Sequence, residues 1–89
     1  MPKFVMWGSY CENALEKRTP YRTDHLAGLQ TQKEKGILTS LGPTTDNTKV
    51  FGTYEAEDEA TERQQVENDP YWVNGIWTDY EVYGWNQVF

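Results

Sequence analysis

The sequence predicts an α+β domain of four antiparallel strands and two helices, and three observations carry that prediction. Apolar and aromatic residues gather in short runs that begin at Lys3, Ile37, Lys49 and Trp77. Two longer segments between those runs have helical spacing, and Gly, Pro, Asn or Asp marks the joints. The order is strand, helix, strand, strand, helix, strand over 89 residues, the length of a single domain spanning 1–89.

Lys3 to Tyr10 reads as a buried central strand, because Phe4-Val5-Met6-Trp7 is a continuous apolar run that closes in Gly8-Ser9. Glu12 to Arg18 is helix-compatible but short. Thr19 and Pro20 then predict a helix start, with Thr19 as N-cap and Pro20 at the first helical position. That helix runs to Lys35, where Gly36 is expected to stop it in the left-handed conformation. At roughly 100° per residue, Arg22, His25, Leu26 and Leu29 share one stripe. The chain's only histidine therefore falls on the inward half of its helix.

Ile37 to Leu41 reads as a second strand stopped by Gly42-Pro43, and Thr44 to Thr48 as a turn. Lys49 to Glu55 is the third strand, in a hairpin with the second, with Val50, Gly52 and Tyr54 on one face. Asp58 is the expected N-cap of a helix through Glu67, with Glu59 and Glu62 near its positive end. Ala56, Ala60 and Val66 are nearly all this helix offers a core, so docking on the sheet must hold it. Asn68-Asp69-Pro70 breaks it, and Tyr71 to Gly75 makes a short turn or helical loop. Trp77 to Phe89 reads as a long last strand with Trp77, Asp79, Glu81, Tyr83 and Trp85 on one face. A β-α-β-β-α-β order is the ferredoxin-like arrangement, with both helices on one side of the sheet. Aromatic residues on the bare side call for a ligand or a second copy to cover them.

Composition narrows the function classes. Lys+Arg 8 against Asp+Glu 14 gives a net charge of -6, which opposes DNA or RNA binding in the absence of a basic stripe. The charge divides unevenly: residues 1–45 carry +2 and residues 46–89 carry -8. Two faces of opposite sign fit the steering of an anionic small molecule to the first half, around Arg18 and Arg22, or the docking of two copies, and a solvated acidic helix fits the same numbers. Aromatics make up 15% of the chain, and large rings must carry much of the core. Cys11 is the only cysteine, so no internal disulfide forms. With no signal-peptide core and no run of membrane-spanning length, the expected location is the cytoplasm.

One His and one Cys do not make a zinc site, and no glycine-rich phosphate loop or calcium loop is present, so neither metal nor cofactor is expected. The residues left with chemistry are His25, Asp69 and Arg22, with Ser40, Tyr71 and Trp72 as ligand contacts. A carboxylate bonded to one ring nitrogen fixes the tautomer and leaves the other nitrogen for proton transfer, so His25 and Asp69 would form an acid/base dyad if the fold joins them. The same residues also fit a structural role, with His25 satisfied by a carbonyl and Asp69 closing an Asx turn. Arg22 reads as a clamp for a carboxylate or lactone, or as the partner of Glu16 or Asp24. Tyr71 and Trp72 read as pocket walls or as core, and Ser40 as a ligand contact or a strand residue.

Ala14-Leu15-Glu16-Lys17-Arg18, Arg22, His25-Leu26, Leu29-Gln30, Gly36, Gly42-Pro43, Asp69-Pro70-Tyr71, Gly75 and Val88-Phe89 together resemble the YciI family, the YCII-related domain. The resemblance covers nearly the whole chain in order. It implies a dimeric ferredoxin-like α/β barrel with an active-site His and Asp near the dimer interface, matching His25 and Asp69. It implies a fold similar to the muconolactone isomerases, and one branch of the family dehalogenates a chlorinated muconolactone. The reading is then a homodimeric enzyme of lyase, isomerase or dehalogenase type, using the dyad on an anionic organic substrate. The reading from another class is a non-catalytic dimeric module that holds a metabolite in the same cavity.

Overall fold

Phe4-Val5-Met6-Trp7 lies at the middle of a sheet, as a continuous apolar run should. The structure, a computed structural model, describes residues 1–89. Strand β1 (Lys3–Tyr10) leads through a single helical turn α1 (Ala14–Lys17) and a 3-10 turn at Thr19–Tyr21 into the main helix α2 (Arg22–Glu34). β2 (Leu38–Pro43) and β3 (Lys49–Glu55) make the hairpin. The helices α3 (Glu59–Glu67) and α4 (Pro70–Val73) then precede β4 (Trp77–Gly84). All pairings are antiparallel in the order β2-β3-β1-β4, which is the ferredoxin-like sheet expected from the element order. No helix is long and apolar enough to cross a membrane.

The core lies between one face of this sheet and the helices. Phe4 and Met6 of β1, Val50 and Tyr54 of β3 and Val82 of β4 point into it and meet Ala14, Val66 and Tyr71. Gly8 belongs to the same face, and a Cβ there would stand 2.6 Å from the carbonyl oxygen of Asp79, so only glycine lets β4 approach. Lys3, Val5, Trp7, Lys49, Phe51, Thr53 and Tyr83 point to the other, bare face by strand alternation.

Several boundaries depart from the sequence expectation. Thr19 does not cap the main helix: its hydroxyl donates back to the Leu15 carbonyl at 3.3 Å, Pro20 enters a 3-10 turn, and α2 starts at Arg22 without a side-chain cap. β2 continues through Gly42-Pro43, which an edge strand tolerates because the missing N–H faces away from the sheet. Gly36 does end its segment in the left-handed region, at φ 77°. β4 ends at Gly84, leaving Trp85 to Phe89 outside the sheet.

Inside β4 the strict two-residue alternation also fails. Ser9 pairs with Asp79 but Tyr10 pairs with Trp77, so Thr78 is an extra residue and the pairing bulges. Trp77 thereby turns into the core, while Asp79, Glu81 and Tyr83 stay on the bare face.

Helix α3 buries Glu62 and Val66, not Ala60. Its N-cap is Asp58, which accepts the Thr61 N–H at 2.8 Å, as its sequence position predicts. Glu62 is fully enclosed and neither carboxyl oxygen has a hydrogen-bond partner. Burial without a partner disfavours the charged form and pushes this carboxyl up from 4.5 to about 8. Between those two values the unfolded chain releases a proton that the folded chain keeps, so stability falls as pH rises through that window. Glu62→Gln should remove the slope. In thermal melts the variant should gain on the wild type between pH 5 and pH 8, by a difference on the order of a few kcal/mol. An equal offset at both values would assign the pH dependence to another group.

Candidate active site

The break at Asn68-Asp69-Pro70 builds the centre of the site. Asp69 is the N-cap of α4, with Pro70 at the first helical position, and its Oδ1 accepts the Tyr71 N–H at 2.8 Å. The same carboxylate accepts from Nδ1 of His25 at 2.7 Å (Oδ1) and 2.9 Å (Oδ2). His25 is 4% exposed, and Asp69 is buried with it. An ionised carboxylate only accepts, so in the neutral ring Nδ1 carries the hydrogen and Nε2 keeps its lone pair.

The ring is held as firmly as its nitrogen. Tyr71 stacks on it face to face, with centroids 3.6 Å apart and planes 7° from parallel. Trp77 meets it edge-on at 5.5 Å and 87°, and meets Tyr71 in the same manner at 5.7 Å and 84°. Trp77 can do so because the bulge at Thr78 turned it inward. Beside this cluster is a cavity of about 170 Å³, lined by His25, Tyr71, Tyr10, Arg18, Arg22 and Leu41 among others. That is smaller than the roughly 300–1,000 Å³ that takes drug-sized ligands, and suits a small metabolite.

The structure brings His25, Asp69, Arg22 and Tyr71 together and leaves two predicted contacts elsewhere. Ser40 lies on the bare face, where its hydroxyl meets that of Thr53 at 2.6 Å. The pairing of β2 shifts between Leu38 and Ser40, and it is Leu41, one residue on, that reaches the cavity. Trp72 is one helical step past Tyr71, and this rotation carries its ring onto Tyr80 at 5.0 Å and 87°. Of the α2 stripe only His25 is fully buried; Arg22 and Leu26 sit at the cavity rim. Arg22 pairs with neither Glu16 nor Asp24, and Arg18 also lacks an ion-pair partner, so two guanidinium groups border the cavity.

Tyr10 is a cavity residue that no sequence motif singles out. Burial pushes its phenol up, as it does for Tyr54, where the nearby charges of Glu62 and Asp69 add to the effect. Trp77 was likewise missed, since the bulge that re-aims it inserts a residue with no turn signature. The one available signal was that β1 alternation puts Phe4, Met6, Gly8 and Tyr10 on a common face.

The YCII-related domain family model matches residues 2–86. The chain belongs to the YCII-related family. No curated protein matches it in sequence. Among solved structures it is similar to the 5-chloro-2-hydroxyhydroquinone dehydrochlorinase TftG from Burkholderia phenoliruptrix AC1100, in complex with 2,5-dihydroxybenzoquinone. The identity is 28%, with 94% of this chain and 93% of that chain covered and a TM-score of 0.80. The fold is also that of an antibiotic biosynthesis monooxygenase, at 12% identity, 99% coverage of both chains and a TM-score of 0.59. Protein Atu4242 from Agrobacterium tumefaciens shares it at 12% identity, with 97% of this chain and 92% of that chain covered and a TM-score of 0.60. This YCII-family chain thus has the α+β architecture of the dimeric α/β barrels.

Because one carboxylate serves the α4 cap and the imidazole, its removal should be costly. Asp69→Ala should destabilise the fold by about 2–4 kcal/mol in chemical denaturation, combining a lost cap with an unpaired buried ring nitrogen. A loss below about 1 kcal/mol would mean that neither bond contributes to stability.

Proposed function

We propose that this YCII-family chain is an enzyme that moves protons on a small anionic organic substrate, with His25 as acid/base and Asp69 as its orienting partner. The observation that carries the reading is the buried His25–Asp69 bond beside a cavity bordered by two unpaired guanidinium groups. Arg22, with Arg18, would bind the substrate's anionic group, and Tyr71 would wall the site. The similarity to a dehydrochlorinase supports a substrate that is a small oxygenated ring.

In this reading Nε2 of His25 takes a proton from a substrate carbon or hydroxyl beside a carbonyl. The electron pair moves to the carbonyl oxygen when a C–H bond breaks, or stays on the hydroxyl oxygen when an O–H bond breaks, and the Asp69 carboxylate stabilises the imidazolium. Return of the proton to a different atom is an isomerisation. Departure of a halide with an electron pair is a dehalogenation, with the proton left on His25. Neither route calls on an oxidant or a reductant.

The working unit in this proposal is a homodimer. Trp7 (54% exposed), Phe51 (41%) and Tyr83 (55%) stand on the bare face of the sheet, with Trp7 and Phe51 in edge contact at 5.9 Å. A second copy of the same face would cover them by two-fold symmetry.

Three measurements check these assignments. 2,5-Dihydroxybenzoquinone, small lactones and carboxylates are screened for thermal stabilisation, which a ligand selective for the folded state produces by mass action. The related chlorinated hydroxyhydroquinone and lactones are assayed for turnover. His25→Ala should lower kcat by about a hundred- to ten-thousand-fold while retaining a folded dimer. Turnover that survives this change removes the dyad from the mechanism, and stabilisation without turnover by the wild type selects a metabolite-binding module. Trp7→Glu should shift the protein from dimer to monomer in light scattering. A dimer that persists at micromolar concentration would place the interface elsewhere.

A further inference from the structure

We propose that Tyr10 is a second catalytic residue of this site, its phenol O–H donating to the substrate oxygen that becomes negative when His25 takes the proton. The inference rests on the reading of His25 as proton carrier and adds the group that receives the other end of the displaced electron pair. Proton removal creates two charges, a cation on the imidazole and an anion on the substrate oxygen. Asp69 answers the first. The second needs a donor already aimed at the place where charge develops, since a preorganised donor requires no reorientation during the reaction.

Tyr10 is built to be that donor. It lines the same cavity as His25 and Arg22, so a ligand of one ring's size in that cavity borders both side chains. Its backbone is fixed at the end of β1: Tyr10 N–H donates to the Thr48 carbonyl at 2.9 Å, and the next N–H, of Cys11, donates to the Ile76 carbonyl at 2.8 Å. Its ring meets Tyr71 at 6.5 Å and 68°, and Tyr71 in turn stacks on His25. The bulge places Trp77 opposite Tyr10 and inside the core, where regular pairing would have set Thr78.

The hydrogen-bonding capacity of these rings separates their roles. Tyr71 has a fully enclosed hydroxyl, so it offers the ligand a ring surface rather than a donor. Tyr10 is only partly buried, and its hydroxyl donates to no group of the chain. The indole N–H of Trp77 is buried without a hydrogen-bond partner. Burial keeps the phenol protonated, which makes it a donor and not a competing base. The guanidinium groups of Arg18 and Arg22 remain for the charge the substrate brings with it, while Tyr10 serves the charge that the reaction creates.

The test uses 2,5-dihydroxybenzoquinone as probe, because its ionised oxygens resemble the charge-rich state, and compares the wild type with Tyr10→Phe and His25→Gln by calorimetric titration. Tyr10→Phe keeps the ring and its packing, so its melting temperature without probe should match the wild type. Its affinity for the probe should fall about tenfold or more, as for a lost hydrogen bond to a charged group. Hydroquinone at a pH where it is uncharged should bind both proteins alike. Unchanged probe affinity in Tyr10→Phe, with weakened binding in His25→Gln, overturns the role of Tyr10 and leaves the dyad standing. A wild type that fails to bind millimolar probe overturns the site reading, and Tyr10's role with it.

Discussion

The carboxylate of Asp69 joins three parts of the chain that otherwise have little reason to meet. It ends the approach from α3, caps α4 through the Tyr71 N–H, and holds the imidazole of α2. The cap is local, two positions along the chain, whereas His25 and Asp69 stand 44 positions apart. Helix α2 depends on this bond more than an ordinary amphipathic helix would, because its stripe contributes only one fully buried side chain, and that side chain is His25. The residue proposed as acid/base therefore also docks its helix. The aromatic cluster around the ring supplies packing that Leu26, at the rim, does not.

Much of the fold was legible in the sequence because its signals are local. Phe4 to Trp7 announces a central strand, Asp58 announces a cap, Gly36 announces a left-handed stop, and Asp69-Pro70 announces a broken helix. The strand order follows from β-α-β-β-α-β once those elements are placed. What escaped was non-local. The hydroxyl of Thr19 turns back to Leu15 instead of forward into α2, a choice that depends on where the preceding turn ends. Glu62 looked like a surface acid at a helix start, and only the closeness of α3 to the sheet reveals that it is enclosed.

The candidate site divides along the same line. His25, Asp69, Arg22 and Tyr71 were readable because helical phase and the Asp-Pro turn locate them, and the resemblance to the YCII-related family pointed to the first two. Ser40 and Trp72 were misplaced by one register shift in β2 and one step of rotation in α4. Tyr10 went unremarked because an aromatic residue at the end of a buried strand looks like core until a cavity is seen beside it. The net acidity of the chain conceals the rim as well, since Arg18 and Arg22 are outnumbered in composition yet border the opening together.

The bulge in β4 acts as a change of parity in a chain with few apolar residues to spare. Before it, Trp77 belongs to the enclosed side; after it, Asp79, Glu81 and Tyr83 belong to the open side, although all four share the odd phase of the strand. One inserted residue thus lets a single strand write to both surfaces with the same alternating code. A relative of identical composition that lacked the equivalent of Thr78 would spell the same rings yet deliver its indole to the opposite surface, and the imidazole would lose its edge-on wall without any change at His25 or Asp69. In this chain, the length of that strand is as informative about the candidate site as the identity of its residues.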